Sequence, residues 1–195
     1  MKEIQAFLYD TMRGAGEIIV NNYGKVKSRR AKDDRGDIVT EVDEQSEHYI
    51  ISRIQKAFPN HNIISEEAGV LGEAEHEYTW LIDPLDGTRN YALGIPFFGV
   101  SIALAKDGIP EYGAVYDPLH DEFFYAAKGQ GAALNGRKIQ VSTETELEDA
   151  VISISWLRRR TEHLRFVTFV ERISERTSYF RRLGSAALIS AYVAA

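Results

Sequence analysis

Apolar residues at Ile4, Phe7, Leu8, Met12, Ala15, Ile18 and Ile19 recur at three- and four-residue intervals. That period predicts an amphipathic first helix with a stop near Gly24. Residues 25–37 break the pattern with Lys27, Arg29, Arg30, Lys32, Asp33, Asp34 and Arg35, a polar stretch expected to be a solvated hairpin or a mobile surface loop. Thr40 is placed to cap a second helix with Asp43 in its first turn, Ile50, Ile51, Ile54 and Phe58 as its apolar stripe, and Pro59 as its end. The pattern then shortens. Ile63-Ile64 runs into Ser65-Glu66-Glu67, residues 69–77 are polar and expected to be an exposed loop, and Trp80-Leu81-Ile82 reads as a buried strand. Pro84 cannot donate to a sheet ladder, so that strand is predicted to stop at Asp83. Residues 99–105, 113–116 and 123–127 read as successive strands, divided by Asp107-Gly108 and Asp117-Pro118. Beyond them the pattern predicts a strand over 151–155, a surface helix over 158–176, a short strand over 179–183 and an apolar, buried helix over 185–195. Helices that flank a run of strands predict a mixed α/β (α+β) class. The 195 residues show no repeat or low-complexity linker and read as one domain.

Composition narrows the partners. A formal net charge of -6 argues against nucleic acid, which calls for a basic surface. It does not argue against a phosphorylated ligand, because bound metal ions reverse the local sign. With no cysteine in the chain, disulfides, thiolate zinc sites and thiol nucleophiles are excluded, and a cytoplasmic location is expected. No apolar run approaches the ~20 residues of a membrane helix, so no membrane partner is expected. His48, His61, His76, His120 and His163 form no ligand pair at helical or strand spacing and are expected at the surface.

The chemistry concentrates at the ends of two apolar runs. Asp83 and Asp86 flank Pro84-Leu85, with Gly87 and Thr88 next, and Glu66 closes the run before them. Carboxylates gathered at the mouth of a sheet raise one another's pKa. A hard divalent cation relieves that conflict, and magnesium takes oxygen ligands of this kind. Gly87 permits close approach of the backbone to a phosphate, and a helix opened by Gly87-Thr88 would aim free N–H groups at its oxygens.

Taken in order, these residues resemble the inositol monophosphatase family. The match runs from Asp37-Ile38-Val39-Thr40 and Asp43, through Ser65-Glu66-Glu67, to Trp80-Leu81-Ile82-Asp83-Pro84-Leu85-Asp86-Gly87-Thr88-Arg89-Asn90-Tyr91. It continues through Pro96-Phe97-Phe98-Gly99, Gly113-Ala114-Val115-Tyr116-Asp117-Pro118, Gly129-Gln130-Gly131-Ala132, Asn135-Gly136 and Gly184-Ser185-Ala186-Ala187. Single motifs of this length are weak; the ordered set covers nearly the whole chain. The resemblance implies a layered αβαβα fold, with 1–146 as the metal-binding portion and 147–195 as the start of a C-terminal portion. It implies hydrolysis of a small phosphate monoester such as inositol monophosphate, with magnesium as cofactor, lithium sensitivity and a homodimer. Fructose-1,6-bisphosphate and histidinol phosphate are the alternative substrates. By the same resemblance, Glu66, Asp83 and the Leu85 carbonyl hold one metal and Asp86 belongs to the second. Glu66, Thr88 and Asp43 are the candidate catalytic residues, with Thr88 orienting the attacking water jointly with Glu66. Asp86, Gly87, Thr88, Ser185 and Ala186 face substrate. Lys32 is raised as a phosphate- or metal-side residue. Arg158-Arg159-Arg160 reads first as a solvated helix start, with a hold on the substrate's remote groups, or a partner subunit's, as the alternative that arginine chemistry offers. Relatives continue past the position of Ala195 with a strand, a substrate-binding acid and a Trp-Asp pair, so the C-terminal subdomain is expected to be incomplete.

Two rival readings stand beside this one. A haloacid-dehalogenase-type phosphatase needs one residue between its aspartates, and here Pro84 and Leu85 make two. A fragment or dimerising scaffold that binds metal and catalyses nothing is the alternative from another class.

Overall fold

The computed structural model describes residues 2–31, 38–72, 76–154, 163–177 and 179–195. Helices α1 (Lys2–Asn22) and α2 (Glu41–Ala57) form where the three- and four-residue spacing predicts them. Thr40 caps α2 in a reciprocal box with Asp43: its N–H donates to Asp43 Oδ2 at 2.9 Å, and its hydroxyl accepts from the Val42 N–H at 3.2 Å.

Strands β1 (Arg29–Ala31) and β2 (Ile38–Thr40) pair as a short ribbon before α2. The main sheet has eight strands in the order β10-β9-β8-β7-β6-β5-β3-β4. They are β3 (Asn62–Ser65), β4 (Gly69–Leu71), β5 (Tyr78–Asp86), β6 (Gly99–Lys106), β7 (Ile109–Asp117), β8 (Glu122–Ala127), β9 (Gly131–Leu134) and β10 (Arg137–Ile139). All neighbours are antiparallel except β3 and β5, which run parallel with Ser65 opposite Ile82. Alternation along these strands sorts the two faces. Trp80, Ile82, Ile102, Ala114, Tyr116 and Phe123 join Leu8, Met12, Ile19, Ile50 and Ile54 in the main core beneath α1 and α2. Val115, Phe124 and Leu134 point the other way and meet Leu188 and Ala191 of α5 (Ala186–Val193). The layers are therefore helices, sheet, helix. A parallel pair, β11 (Ile152–Ser153) with β12 (Phe180–Arg181), and the helix α4 (His163–Ser174) complete the elements. Among the described residues no helix is long and apolar enough to cross a membrane.

Four sequence expectations are corrected, and one hairpin is added that the sequence reading lacks. The strand expected to stop at Asp83 runs on to Asp86, with a register shift between Asp83 and Asp86 before Asp86 pairs with Gly99. The bulge takes Pro84, which has no N–H to give, out of the ladder. The stretch expected to be a loop from residue 69 begins with β4, which pairs with β3. The hairpin of β9 and β10 was not foreseen, although its turn is Asn135-Gly136, both at positive φ, a strong hairpin signal. Helix α5 is not buried all round: Leu188 and Ala191 are buried, Tyr192 packs on Phe124 yet stays partly exposed, and Val193 is exposed. His61, expected at the surface, is half-buried: its ring stacks between Phe58 and Tyr78, and its Nδ1 accepts from the Trp80 indole N–H at 3.1 Å.

Candidate active site

The parallel pairing of β3 and β5 decides where the carboxylates meet. Parallel neighbours end on the same side of a sheet, so the turn after Ser65 and the end of β5 lie together. The Glu66 N–H donates to the Ile82 carbonyl at 3.1 Å, which places Glu66 beside Asp83. Asp83 is half-buried and its Oδ1 accepts from the Leu85 N–H at 3.2 Å. Burial and the negative charges of Glu66 and Asp86 push the Asp83 carboxyl up to about 8.

Across the bulge, Asp86 faces another way. It accepts from the Ser185 hydroxyl, from the Ala187 N–H at 2.7 Å and from the Ala186 N–H at 3.1 Å. A residue at the end of β5 thus satisfies free N–H groups at the start of α5, where negative charge is favoured. Asn90, in the short helix α3 (Thr88–Ala92), secures the same junction. Its amide donates to the Leu183 carbonyl at 2.6 Å and to the Phe97 carbonyl at 2.7 Å.

Gly87 sits between Asp86 and Thr88 with φ near 93°; a Cβ there would meet the Phe97 carbonyl oxygen at 3.1 Å and the Ser185 Cβ at 3.2 Å. The glycine is needed for packing against the chain's own segments, in addition to any approach by a ligand. Thr88 opens α3 and its hydroxyl lies 2.7 Å from Asp43 Oδ1 and 2.9 Å from the Leu85 carbonyl. Its single proton goes to the carboxylate, the stronger acceptor. Asp43 is 1% exposed, and burial raises its pKa against the opposing pull of the Thr40 and Thr88 hydroxyls.

The structure therefore gathers Glu66, Asp83, Leu85, Asp86, Gly87, Thr88 and Asp43 at one end of the sheet and brings Ser185 and Ala186 to them. Thr88, expected to work with Glu66, has its hydrogen bond to Asp43. Lys32 and the arginines at 158–160 lie outside the described residues. Two residues of the site were not singled out from the sequence, Ser46 and Glu47. Both lie on α2 and are buried, Ser46 donating to the Pro84 carbonyl at 2.8 Å and Glu47 accepting from the turn that carries Glu66. Their signal was spacing: with Asp43 they form a polar i, i+3, i+4 set on a helix whose solvent side is already charged.

The donor set suits a hard cation. It is all oxygen, it is partly withdrawn from water, and the charges acting on Asp83 are those of like-charged neighbours. Among the described residues no three acidic or histidine side chains are grouped as a metal cluster would be, and Asp86 is engaged with the start of α5. A groove of about 440 Å³ between α1 and β8 is lined by Gln5, Tyr9, Asp121, Phe123 and Asn135 and by none of these site carboxylates.

Fold and site together define a mixed α/β protein with a carboxylate-lined site where adjoining strands end. The chain belongs to the inositol monophosphatase family, whose model matches residues 1–195. It is 40% identical over 185 residues to the Nus factor SuhB of Escherichia coli K12, a match that spans 94% of this chain and 69% of that protein. Among solved structures, the extragenic suppressor protein SuhB of Bartonella henselae superposes with a TM-score of 0.93 at 34% identity, over 98% of this chain and 74% of that one. An IMPase of Thermotoga maritima gives a TM-score of 0.88 at 36% identity, over 99% and 72%.

Proposed function

We propose that the protein hydrolyses a small phosphate monoester in a magnesium-dependent reaction, with inositol monophosphate as the substrate. Membership of the inositol monophosphatase family supports a phosphatase. The observation that carries the magnesium is the meeting of Glu66, Asp83 and Asp86 at the end of β5, where burial and the neighbouring negative charges push the Asp83 carboxyl up to about 8. Glu66, Asp83 and the Leu85 carbonyl would hold one ion and Asp86 would share a second. When bound, magnesium neutralises charge on phosphate oxygens and lowers the pKa of water.

The chain's own residues supply orientation and proton handling. Asp43 takes the Thr88 proton into its hydrogen bond, so the Thr88 oxygen keeps lone pairs open to a water. A water that donates to Thr88 is held for attack and can pass its proton through the hydroxyl to Asp43. Burial makes Asp43 more basic than a solvated aspartate, which suits a proton acceptor. Ser185 and Ala186, anchored by Asp86, face the substrate's hydroxyl groups.

The test is turnover of inositol monophosphate, fructose-1,6-bisphosphate and histidinol phosphate, with and without chelator. Phosphate release from the first, abolished by chelation, restored by magnesium and inhibited by lithium, is expected. Turnover that survives exhaustive chelation would overturn the magnesium reading. Light scattering of the same sample is expected to give the mass of a homodimer. A second, non-catalytic reading is favoured by the Nus factor name of a relative 40% identical to this chain. A protein that binds magnesium and releases phosphate from none of the three esters would support it.

A further inference from the structure

Where α2 meets the site, its face is polar and buried. Asp43, Ser46 and Glu47 stand there, and each reaches a different segment. Asp43 takes the hydroxyl of Thr88, and Ser46 donates to the carbonyl of Pro84, between the two aspartates of β5. Glu47 gathers three donors on one oxygen, Oε1: the Ser65 hydroxyl at 2.5 Å, the Ala68 N–H at 2.9 Å and the Glu67 N–H at 3.2 Å. These donors bracket Glu66, one before it in the chain and two after.

We infer that Glu47 is a positioning residue whose carboxylate sets where Glu66 stands relative to Asp83. A buried carboxylate is costly unless donors surround it, and here every one of the named donors belongs to the turn that carries Glu66. The turn needs such a tether. Glu66 is exposed, and its backbone is tied to β5 by the bond from its N–H to the Ile82 carbonyl, so without the Glu47 bonds the turn around it is freer to swing toward water. Glu47 opposes that motion from below, fixed on a 17-residue helix that packs on β5 and α1. The functional consequence, correct spacing of two oxygen ligands, rests on the magnesium reading above; the tether itself does not.

Amide hydrogen exchange and magnesium titration, applied to the parent and to Glu47→Ala, Glu47→Asp, Glu47→Gln and Ser46→Ala, test this. In Glu47→Ala the Glu67 and Ala68 amides are expected to exchange at least about tenfold faster relative to the amides of Glu66 and Ile102, whose bonds are to backbone. Calorimetric magnesium affinity is expected to fall about 10–100-fold, the usual effect of losing a group that orients a ligand. Glu47→Gln, which keeps an acceptor oxygen at the same reach, should recover most of both effects. Glu47→Asp keeps the charge, shortens the reach and should behave like Glu47→Ala; it carries the test if the alanine variant does not fold. Ser46→Ala, one position away on the same helix, should leave the Glu67 and Ala68 amides protected. Unchanged protection of those two amides in both the alanine and the aspartate variant would overturn the tether, as would a uniform rise in exchange that included Ile102. Locally faster exchange with parental magnesium affinity would overturn the effect on ligand spacing. Failure of the parent to bind magnesium would instead overturn the reading under Proposed function and leave the exchange ratio to decide the tether.

Discussion

Burial and the charges of Glu66 and Asp86 hold the Asp83 carboxyl at about 8, against 3.8 for a free aspartate. The folded, metal-free protein therefore keeps a proton that the unfolded chain has already lost. The stability tied to that proton is fully present below about pH 4 and is lost as pH rises through about 8. Asp83→Asn cannot ionise. In chelator, the variant and the parent are expected to melt together below about pH 4, and the variant to melt increasingly higher as pH rises toward 8.5; equal midpoints across that range would remove Asp83 as the cause. Magnesium binding must displace the same proton, so parental affinity is expected to rise with pH up to about 8. For turnover the substitution works the other way. Asp83→Asn removes a ligand charge and should cost on the order of 10³-fold or more in kcat. Thr88→Ala and Asp43→Asn should cost turnover while leaving magnesium affinity near the parental value, since they touch the water's proton path. Parental kcat in either would place the proton acceptor elsewhere.

Helix α2 and the junction before α5 carry the site's architecture. Thr40→Ala removes the cap of α2 and should cost about 1–2 kcal/mol of unfolding free energy, measured by urea titration. The same change frees one side of Asp43, so it should lower kcat by more than a remote destabilisation of equal size. Asn90→Ala releases the carbonyls of Leu183 and Phe97 and loosens the start of α5. Because Ser185 and Ala186 lie there, KM is expected to rise with a smaller change in kcat; a pure kcat loss would mean that this junction serves the chemistry and not the substrate. These elements also show what was legible. Helices α1 and α2 follow from spacing alone, because one face of each is buried against a single sheet. The bulge over Pro84 and Leu85 was not legible: proline forbids the hydrogen bond but not the extended path, and re-pairing at Gly99 depends on β6. Strand β4 is short, at the sheet edge and exposed, so it has no alternation to read.

Magnesium should act on the protein as a unit. A ligand at a hundredfold its Kd that binds only the folded state adds about 2.7 kcal/mol to unfolding free energy. Magnesium at that excess should raise the melting temperature and chelator should reverse it. A midpoint indifferent to both would argue against a site preformed in the folded chain. The sequence by itself determined the mixed α/β class, the two leading helices, the strands from Trp80 to Ala127 and the motifs that carry Glu66, Asp83, Asp86 and Thr88 to one end of the sheet. Those follow from local periodicity and from short, contiguous motifs. The tertiary structure alone decided which partners each carboxylate takes. Asp86 meets the start of α5 across about a hundred residues of chain, Asp43 meets Thr88 across 45, and Glu47 meets Ala68 across 21. Periodicity reports whether a side chain turns inward, and a buried polar residue reads there as an exposed one. Its partner is set by sheet register and by the helix packed behind the strand ends, which no single segment contains.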